Sequence, residues 1–241
     1  MNTIPYFNVM LSFFPVFIVL LIMFRWSLPV IDGAVALARM LIQLILIGYA
    51  LNWLFSVESS ALILLLLTVM LVIASSIALK SIGQEKTAQQ FWFALIAISC
   101  GGGLTLAFIV VGVLQIQPWY KADTIIPLAG MIFASAMNAV SLSAERFNME
   151  IKHGAEALTA RNQAFKAGLI PLFNSLLAVG LVSLPGMMTG QILSGVSPLI
   201  AARYQIVVMC MITGAAGISS AIYLSLVSDK LLLKLKSPKG N

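Results

Sequence analysis

The chain has 241 residues, of which 61% are hydrophobic and only 9% are charged, and its mean hydropathy is +1.04. Soluble domains carry about 25% charged residues, so this composition excludes an ordinary soluble protein and indicates a polytopic membrane protein. The formal net charge is +6. The distribution of the basic residues follows a membrane topology, so we predict the lipid bilayer as a partner and no nucleic acid.

Seven apolar segments are long enough to cross a bilayer, which needs about 20 residues of helix. They predict an all-α fold with about seven transmembrane helices, in a single membrane domain over residues 1–241. In chain order the segments are residues 6–24, 35–55, 61–79, 91–114, 125–143, 168–193 and 204–227.

Basic residues predict the orientation of these helices. Twelve of the fourteen Lys and Arg residues lie near the odd-numbered connections or the C-terminus, and only Lys121 and Arg203 lie in the even-numbered ones. Because cytoplasmic loops carry the excess of Lys and Arg, the N-terminus is predicted outside and the C-terminus inside. Arg25 follows the first segment where a signal peptide would have small residues, so that segment is predicted to remain as a helix. The predicted location is the inner or plasma membrane of the cell.

The sequence argues against an enzyme. It has no G-x-x-x-x-G-K-[ST] phosphate loop, one histidine (His153) and no clustered carboxylates. No cofactor is predicted for this chain, and its metal ligands, if it has any, stay unknown at this stage. No carboxylate lies centrally in a span, since Asp123 lies at the edge of the fifth.

The longest connection, residues 144–167, is predicted to lie on the cytoplasmic side as an amphipathic helix or helix pair. Phe147, Ile151, Leu158 and Phe165 recur at helical spacing on one face, with charged residues between them. Two interpretations stay open. The apolar face lies in the lipid interface, or it is a lever that docks on a cytoplasmic partner.

Polar and sulfur-containing side chains at membrane depth are the candidates for a transport pathway, because burying them in lipid is costly. Each candidate also has a purely structural interpretation, since amides form hydrogen bonds between neighbouring helices and methionines fill gaps in the packing. Gly130, Gly214 and Gly217 are predicted to be close-packing contacts between helices. The candidate pathway residues are Gln43, Ser135, Asn138, Ser183, Met187, Met188 and Gln205.

The most informative segment is residues 180–190, GLVSLPGMMTG, inside the sixth span. Pro185 and Gly186 predict a break in that helix, because proline lacks an N–H and clashes with the preceding turn. At membrane depth such a break is tolerated where protein or a polar cavity receives the freed carbonyls. The segment therefore favours a transporter over a plain anchor.

Three stretches together resemble the FetB family of ABC-transporter permeases, known for bacterial iron export and for plant relatives tied to aluminium resistance. They are residues 39–49 (RMLIQLILIGY), 126–132 (IPLAGMI) and 180–190, the last followed by RYQI at 203–206. The family's "LGA" coupling segment has no clear equivalent in residues 148–159.

The resemblance implies a permease subunit, paired as a homodimer with separate ATPase subunits that use ATP, and exporting a metal such as iron. It also implies that the loop 144–167 contacts the ATPase through residues such as Ile151, Glu156, Leu158 and Arg161. The alternative is a secondary carrier or channel that works without ATP. Two absences argue against it: the spans show no inverted repeat and no central carboxylate for ion coupling.

Overall fold

The computed structural model describes residues 4–54, 59–80, 82–83 and 87–236, and this part of the chain is helical. It contains an isolated bridge between Val179 and Ser183 but no β-strand. Its helices are α1 (Tyr6–Arg25), α2 (Val30–Leu54), α3 (Ser60–Ala78), α4 (Ala88–Val113), α5 (Ala122–Lys152), α6 (Ala157–Ala178), α7 (Gly186–Leu193) and α8 (Pro198–Lys236). The all-α prediction is confirmed.

The described residues form two compact units, one within Met1–Val57 and one within Glu58–Asn241. In the first unit α1 packs on α2, where a Cβ added to Gly33 would lie 3.0 Å from Leu20 Cδ2. Most of its other described side chains are exposed, including large apolar ones. The second unit holds most of the buried side chains, and a single permease domain over residues 1–241 stays a prediction.

Six helices of the described residues are long and apolar enough to cross a membrane: α1 to α5 and α8. They match six of the seven predicted spans. The predicted span at 168–193 is instead divided, because α6 ends at Ala178 and α7 begins at Gly186. Seven crossings and the orientation of the termini therefore stay predictions.

The interruption between α6 and α7 begins before the proline. Val179 is extended, and Gly180 has a φ of +83°, a conformation that glycine adopts without strain. The Ala178 carbonyl accepts hydrogen bonds from the amides of Leu181 (3.3 Å), Val182 (2.9 Å) and Ser183 (3.2 Å). This loop therefore caps the helix end itself, and Pro185 serves as the N-cap residue of α7.

The core of the second unit is a close contact among α4, α5, α6 and α8, built largely from small residues. Ser143 on α5 and Ser220 on α8 are buried, and their Oγ atoms lie 2.6 Å apart. Gly101 lies against Ser219, where an added Cβ would be 2.5 Å from the backbone nitrogen. Gly168 on α6 lies against Ser143, so small side chains allow these helices to approach closely.

The glycines predicted as close contacts are not the ones that make them. A Cβ at Gly130 or Gly217 would meet only ordinary contacts of 3.7 Å and 3.9 Å, and at Gly214 it would meet no described atom within 4 Å. Within one copy the tightest contacts lie elsewhere, because glycine spacing shows which residues share a face but not which face meets a neighbour; a close contact of these glycines with a second copy stays a prediction. Gly101 instead lies in a π-helical stretch of α4, Ser99–Gly103.

Residues 144–167 form a helical hairpin continuous with the bundle. Helix α5 continues to Lys152, a turn follows in which Gly154 has a φ of +84°, and α6 starts at Ala157. Arg146 and Glu150 form an ion pair of 2.5 Å on α5. In the amide orientation that satisfies both groups, Gln163 on α6 donates to Glu150 Oε1 at 2.8 Å. The hairpin is thus tied together by polar contacts across the turn.

Candidate functional site

A cavity of about 290 Å³ lies among the end of α4, the start of α5, α7 and the start of α8. This end of the second unit is the one predicted to face the outside. Its polar lining combines a carboxylate, two hydroxyls, an amide and a thioether, supplied by Asp123, Thr124, Tyr204, Gln191 and Met187. The remaining lining is apolar, from Leu114, Pro127, Leu128, Val207 and Val208.

Asp123 is the charged group of this cavity, and its orientation is fixed locally. It lies in the first turn of α5, where a carboxylate is favoured by the helix dipole. Thr124 Oγ1 donates to Asp123 Oδ1 at 2.8 Å. Lys121 Nζ lies 3.4 Å from Asp123 Oδ2, and both side chains are about half exposed, at 56% and 50%. The carboxylate therefore has one internal cation beside it and remains open to solvent.

Two glutamine oxygens near this end are buried without a hydrogen-bond partner among the described residues. They are Oε1 of Gln191, which lines the cavity, and Oε1 of Gln205, whose side chain is only 6% exposed on α8. An unsatisfied buried polar group costs about 1–3 kcal/mol. Such an unsatisfied group needs an explanation. A bound ligand that contacts the oxygen would be one explanation.

Within the second unit, the structure does not gather the predicted pathway residues in one place. Met187 lines the cavity, but Ser135, Asn138 and Ser183 are not among its lining residues. Ser135 is half-buried on α5, and Met188 is half-buried on α7. The side chains of Asn138 on α5, Ser183 in the interruption, and Gln43 on α2 of the first unit are exposed. Gln205 is buried next to Tyr204.

Sequence reasoning missed four polar lining residues of the cavity: Asp123, Thr124, Gln191 and Tyr204. Asp123 lies at the edge of its span rather than at its centre, so hydropathy does not single it out. The signal that points to it is a carboxylate and a hydroxyl at the start of a long helix, beside the one basic residue, Lys121, of that connection. Gln191 follows Met187 by one helical turn, which places the two on one face of α7.

The opposite end of the second unit, predicted to be cytoplasmic, has two grooves. One, of about 330 Å³, lies between α4, α5 and α8 and has an apolar wall that includes Phe147 and Ile151. Lys152 and Lys230 lie at the same groove, and Lys230 donates a hydrogen bond to Gln89. The other, of about 290 Å³, lies between α6 and α8 and is lined by Arg161.

The predicted coupling residues lie on both helices of the hairpin. Ile151 lines the first groove and Arg161 the second. Glu156 is the exposed N-cap residue of α6, and Leu158 in its first turn is 43% exposed. The apolar positions are therefore divided between two helices, and Leu158 is the one most available to a partner or to lipid.

Six long apolar helices with apolar side chains exposed on their surfaces define a polytopic helical membrane protein. Residues 6–232 match the model of UPF0014, described as an uncharacterised protein family, and the chain belongs to that family. The resemblance found in the sequence is confirmed by its relatives.

A UPF0014 membrane protein of Synechocystis sp., slr1647, is 34% identical over 218 residues, covering 78% of this chain and 84% of the relative. The probable iron export permease protein FetB of Escherichia coli is 35% identical over 204 residues, covering 78% and 76%. Protein ALUMINUM SENSITIVE 3 of Arabidopsis thaliana is 34% identical over 203 residues, covering 77% and 71%. No solved structure matches the chain.

Proposed function

We propose that this chain is the membrane-spanning permease subunit of an ABC transporter that exports a metal cation, iron, from the cytoplasm. The observation that carries the proposal is its similarity, over most of both chains, to a protein named as a probable iron export permease. The chain itself would hydrolyse no ATP, and separate ATPase subunits would supply the energy. The membrane would be the cell membrane, as the bacterial relatives favour.

The interrupted helix supports transport over simple anchoring. Loop residues Leu181 and Val182 are 90% and 84% exposed, and α7 has no buried residue, so this segment is loosely packed on the described part of the chain. Non-helical backbone at membrane depth is tolerated where it adjoins protein or a cavity, and transporters use such interruptions at their binding sites. Here the interruption leads directly into Met187 and Gln191, which line the polar cavity.

Exposed amides support a second copy of the chain beside the first. Asn138 on α5 and Asn174 on α6 lie in apolar stretches yet are exposed on the second unit. In hydrocarbon an amide without a partner is costly, so polar side chains of membrane helices usually face protein or water. A homodimer with a pathway between the copies, bound to two ATPase subunits, would provide both.

The cytoplasmic hairpin is the proposed contact with the ATPase. The exposed Leu158 and the groove wall at Ile151 offer apolar contacts, while Arg161 and Lys230 offer charged ones. The Arg146–Glu150 ion pair and the contact of Gln163 with Glu150 would let the hairpin move as one body.

The test is ATP-driven transport in inside-out membrane vesicles from cells that express the permease together with a separate ABC ATPase subunit from the same genome. Iron(II), kept reduced under anaerobic conditions, should accumulate in the vesicles when ATP is added. The matched control is an ATPase whose phosphate-loop lysine is replaced by alanine, which should abolish accumulation. Equal accumulation without ATP, or with the inactive ATPase, would refute the ABC mechanism and favour an ATP-independent carrier.

A further inference from the structure

We propose that α4 is a jointed helix, whose outer segment at residues 104–113 swings about the π-helical stretch Ser99–Gly103 into an apolar cavity beside it. The inference rests on the proposed function, because the movement would act on transport. It identifies a part of the permease that changes shape at the end predicted to face outside.

The backbone hydrogen bonds of α4 are irregular at two places. Ser99–Gly103 and Phe108–Val113 are both π-helical, and the short α-helical stretch Leu104–Ala107 separates them. At the second place the Leu114 amide donates to the Ile109 carbonyl at 2.8 Å, one residue further back than in an α-helix. π-Helical turns are rare and occur frequently at functional sites. Both stretches therefore mark places where α4 can exchange one set of hydrogen bonds for another.

The first π-helical stretch is held firmly on its inner side. Gly101 lies against the backbone of Ser219 on α8, and a Cβ added to Gly102 would be 3.2 Å from Phe133 Cδ1 on α5. Ala97, just before the stretch, is completely buried. The part of α4 that precedes the joint is thus fixed against α5 and α8.

The outer segment borders open space instead. A Cβ added to Gly103 would meet no described atom within 4 Å, and one added to Gly112 would meet only the ring of Phe108 on the same helix. A cavity of about 280 Å³ lies between this segment, α3 and α5. Its wall on α4 consists of Gly103, Leu106, Ala107, Val110 and Val111. Because the lining is largely apolar, the outer segment can enter the cavity without burying many unpaired polar groups.

Ser219 supplies evidence that is independent of the backbone geometry. Its side chain is completely buried, and its Oγ has no hydrogen-bond partner among the described residues, which is costly. Thr105 Oγ1, in the outer segment, donates to the Gly101 carbonyl at 2.6 Å. If the π-helical stretch returns to α-helical hydrogen bonding, every later side chain turns by about 100°, the rotation of one residue. Thr105 then leaves the Gly101 carbonyl, and the neighbouring Ser219 hydroxyl becomes its donor.

This movement reaches the polar cavity at the outside end. Leu114, directly after α4, lines that cavity together with Met187 and Gln191. A turn of the outer segment therefore displaces one wall of the cavity while the inner part of α4 stays in place.

The experiment measures distances between two nitroxide spin labels by pulsed electron paramagnetic resonance, on the full-length permease in lipid nanodiscs. Cys100→Ser and Cys210→Ser remove the native thiols, which are exposed. Labelled chains are diluted with unlabelled ones, so that distances within one chain are observed. Spectra are recorded for the permease alone and with the ATPase and ATP.

Two label pairs separate the joint from the rest of the bundle, and all four positions are exposed. Val111→Cys with Leu142→Cys, on α5, reports on the outer segment and should give two distances whose ratio changes with ATP. Trp92→Cys with Leu199→Cys joins the inner part of α4 to α8 and should give one distance throughout. A single distance for the first pair in every condition, or two distances for the second pair, would overturn the joint.

Two substitutions should shift the ratio in opposite directions. Thr105→Val removes the donor of the observed arrangement and should favour the other one about fivefold, as expected for one hydrogen bond. Ser219→Ala removes the donor of the other arrangement and should favour the observed one by about the same factor. Ser228→Ala is the matched control, since this serine is also buried on α8 but donates to Ser225 within its own helix. Its ratio should change less than about twofold, and shifts of the same sign in Thr105→Val and Ser219→Ala would also overturn the joint.

The two proposals fail in different ways. If the two distances and their opposite shifts are found but the vesicles show no ATP-driven iron transport, the proposed function is wrong and the joint stands. If ATP-driven transport is present and the outer pair gives one distance in every condition, the joint is wrong and the proposed function stands.

Discussion

Replacing Gly101 by alanine is the sharpest test of how the second unit is packed. The new Cβ would lie 2.5 Å from the backbone nitrogen and 2.9 Å from the Cα of Ser219 on α8. Ordinary contacts between heavy atoms are about 3.5–4.0 Å, so α4 and α8 would have to separate by about 1 Å. Both atoms belong to the backbone, so no change of rotamer relieves the clash.

Overpacking a well-packed core costs about 1–3 kcal/mol, and a clash with backbone lies at the upper end of that range. For a chain of this size about 3 kcal/mol corresponds to a fall in Tm of roughly 6–12 °C. The measurement is thermal unfolding of the purified protein, followed by the fluorescence of its four tryptophans.

Gly103→Ala is the matched control, since Gly103 lies in the same π-helical stretch but a Cβ there would meet no described atom within 4 Å. Alanine favours a helical backbone over glycine by up to about 1 kcal/mol, so this variant should be neutral or slightly more stable. Equal Tm values for Gly101→Ala and Gly103→Ala would refute the close contact between α4 and α8.

The remaining predictions concern the core, the orientation and the hairpin. Gly168→Ala should lower stability by about 1–3 kcal/mol. Adding Ser143→Ala should recover only part of it, because Ala139 O would still be 3.0 Å from the new Cβ and Ser220 would lose its hydrogen-bond partner; full recovery would contradict both contacts. A C-terminal fluorescent-protein fusion should glow and an alkaline-phosphatase fusion should be inactive, and the reverse pattern would refute a cytoplasmic C-terminus. Ile151→Gln and Leu158→Gln should each lower ATP-driven transport while the protein still inserts, whereas unchanged transport in both would favour a position of the hairpin on the lipid surface.

Hydropathy predicts the long helices well because each is one apolar run that is long enough to cross a bilayer. For five of the six helices that could cross a membrane, the predicted span begins or ends within about five residues of the helix in the structure. Hydropathy fails at 168–193, because the loop between α6 and α7 is also apolar and the averaged hydropathy stays high across it. The loop forms because Gly180 adopts a positive φ and three amides converge on the Ala178 carbonyl. Pro185 indicated an interruption, but not that the helix ends at Ala178.

The cavity could not be predicted as a unit from local patterns. Asp123, Gln191 and Tyr204 come from three helices far apart in the chain, and only their packing brings them together. Asp123 lies at the edge of its span, whereas the residue types alone predict a functional carboxylate at the centre of a span. Met187 was predicted as a pathway residue because it belongs to a distinctive local motif. Local motifs are the evidence that a single sequence supplies for the role of a residue.

The second unit combines a rigid part with a loosely held one, and the cavity lies where they meet. Around Gly101, Ser143 and Gly168 the helices pack so closely that no space remains for one added methyl group, so α4, α5, α6 and α8 form a tightly packed frame. Helix α7 has no buried residue and packs mainly on α8, and an exposed loop precedes it. Asp123 belongs to the frame and Gln191 to α7, so a movement of α7 against the frame would change the distance between these two lining residues. Such a movement would reshape the cavity without disturbing the frame, which is a property that the proposed transporter requires.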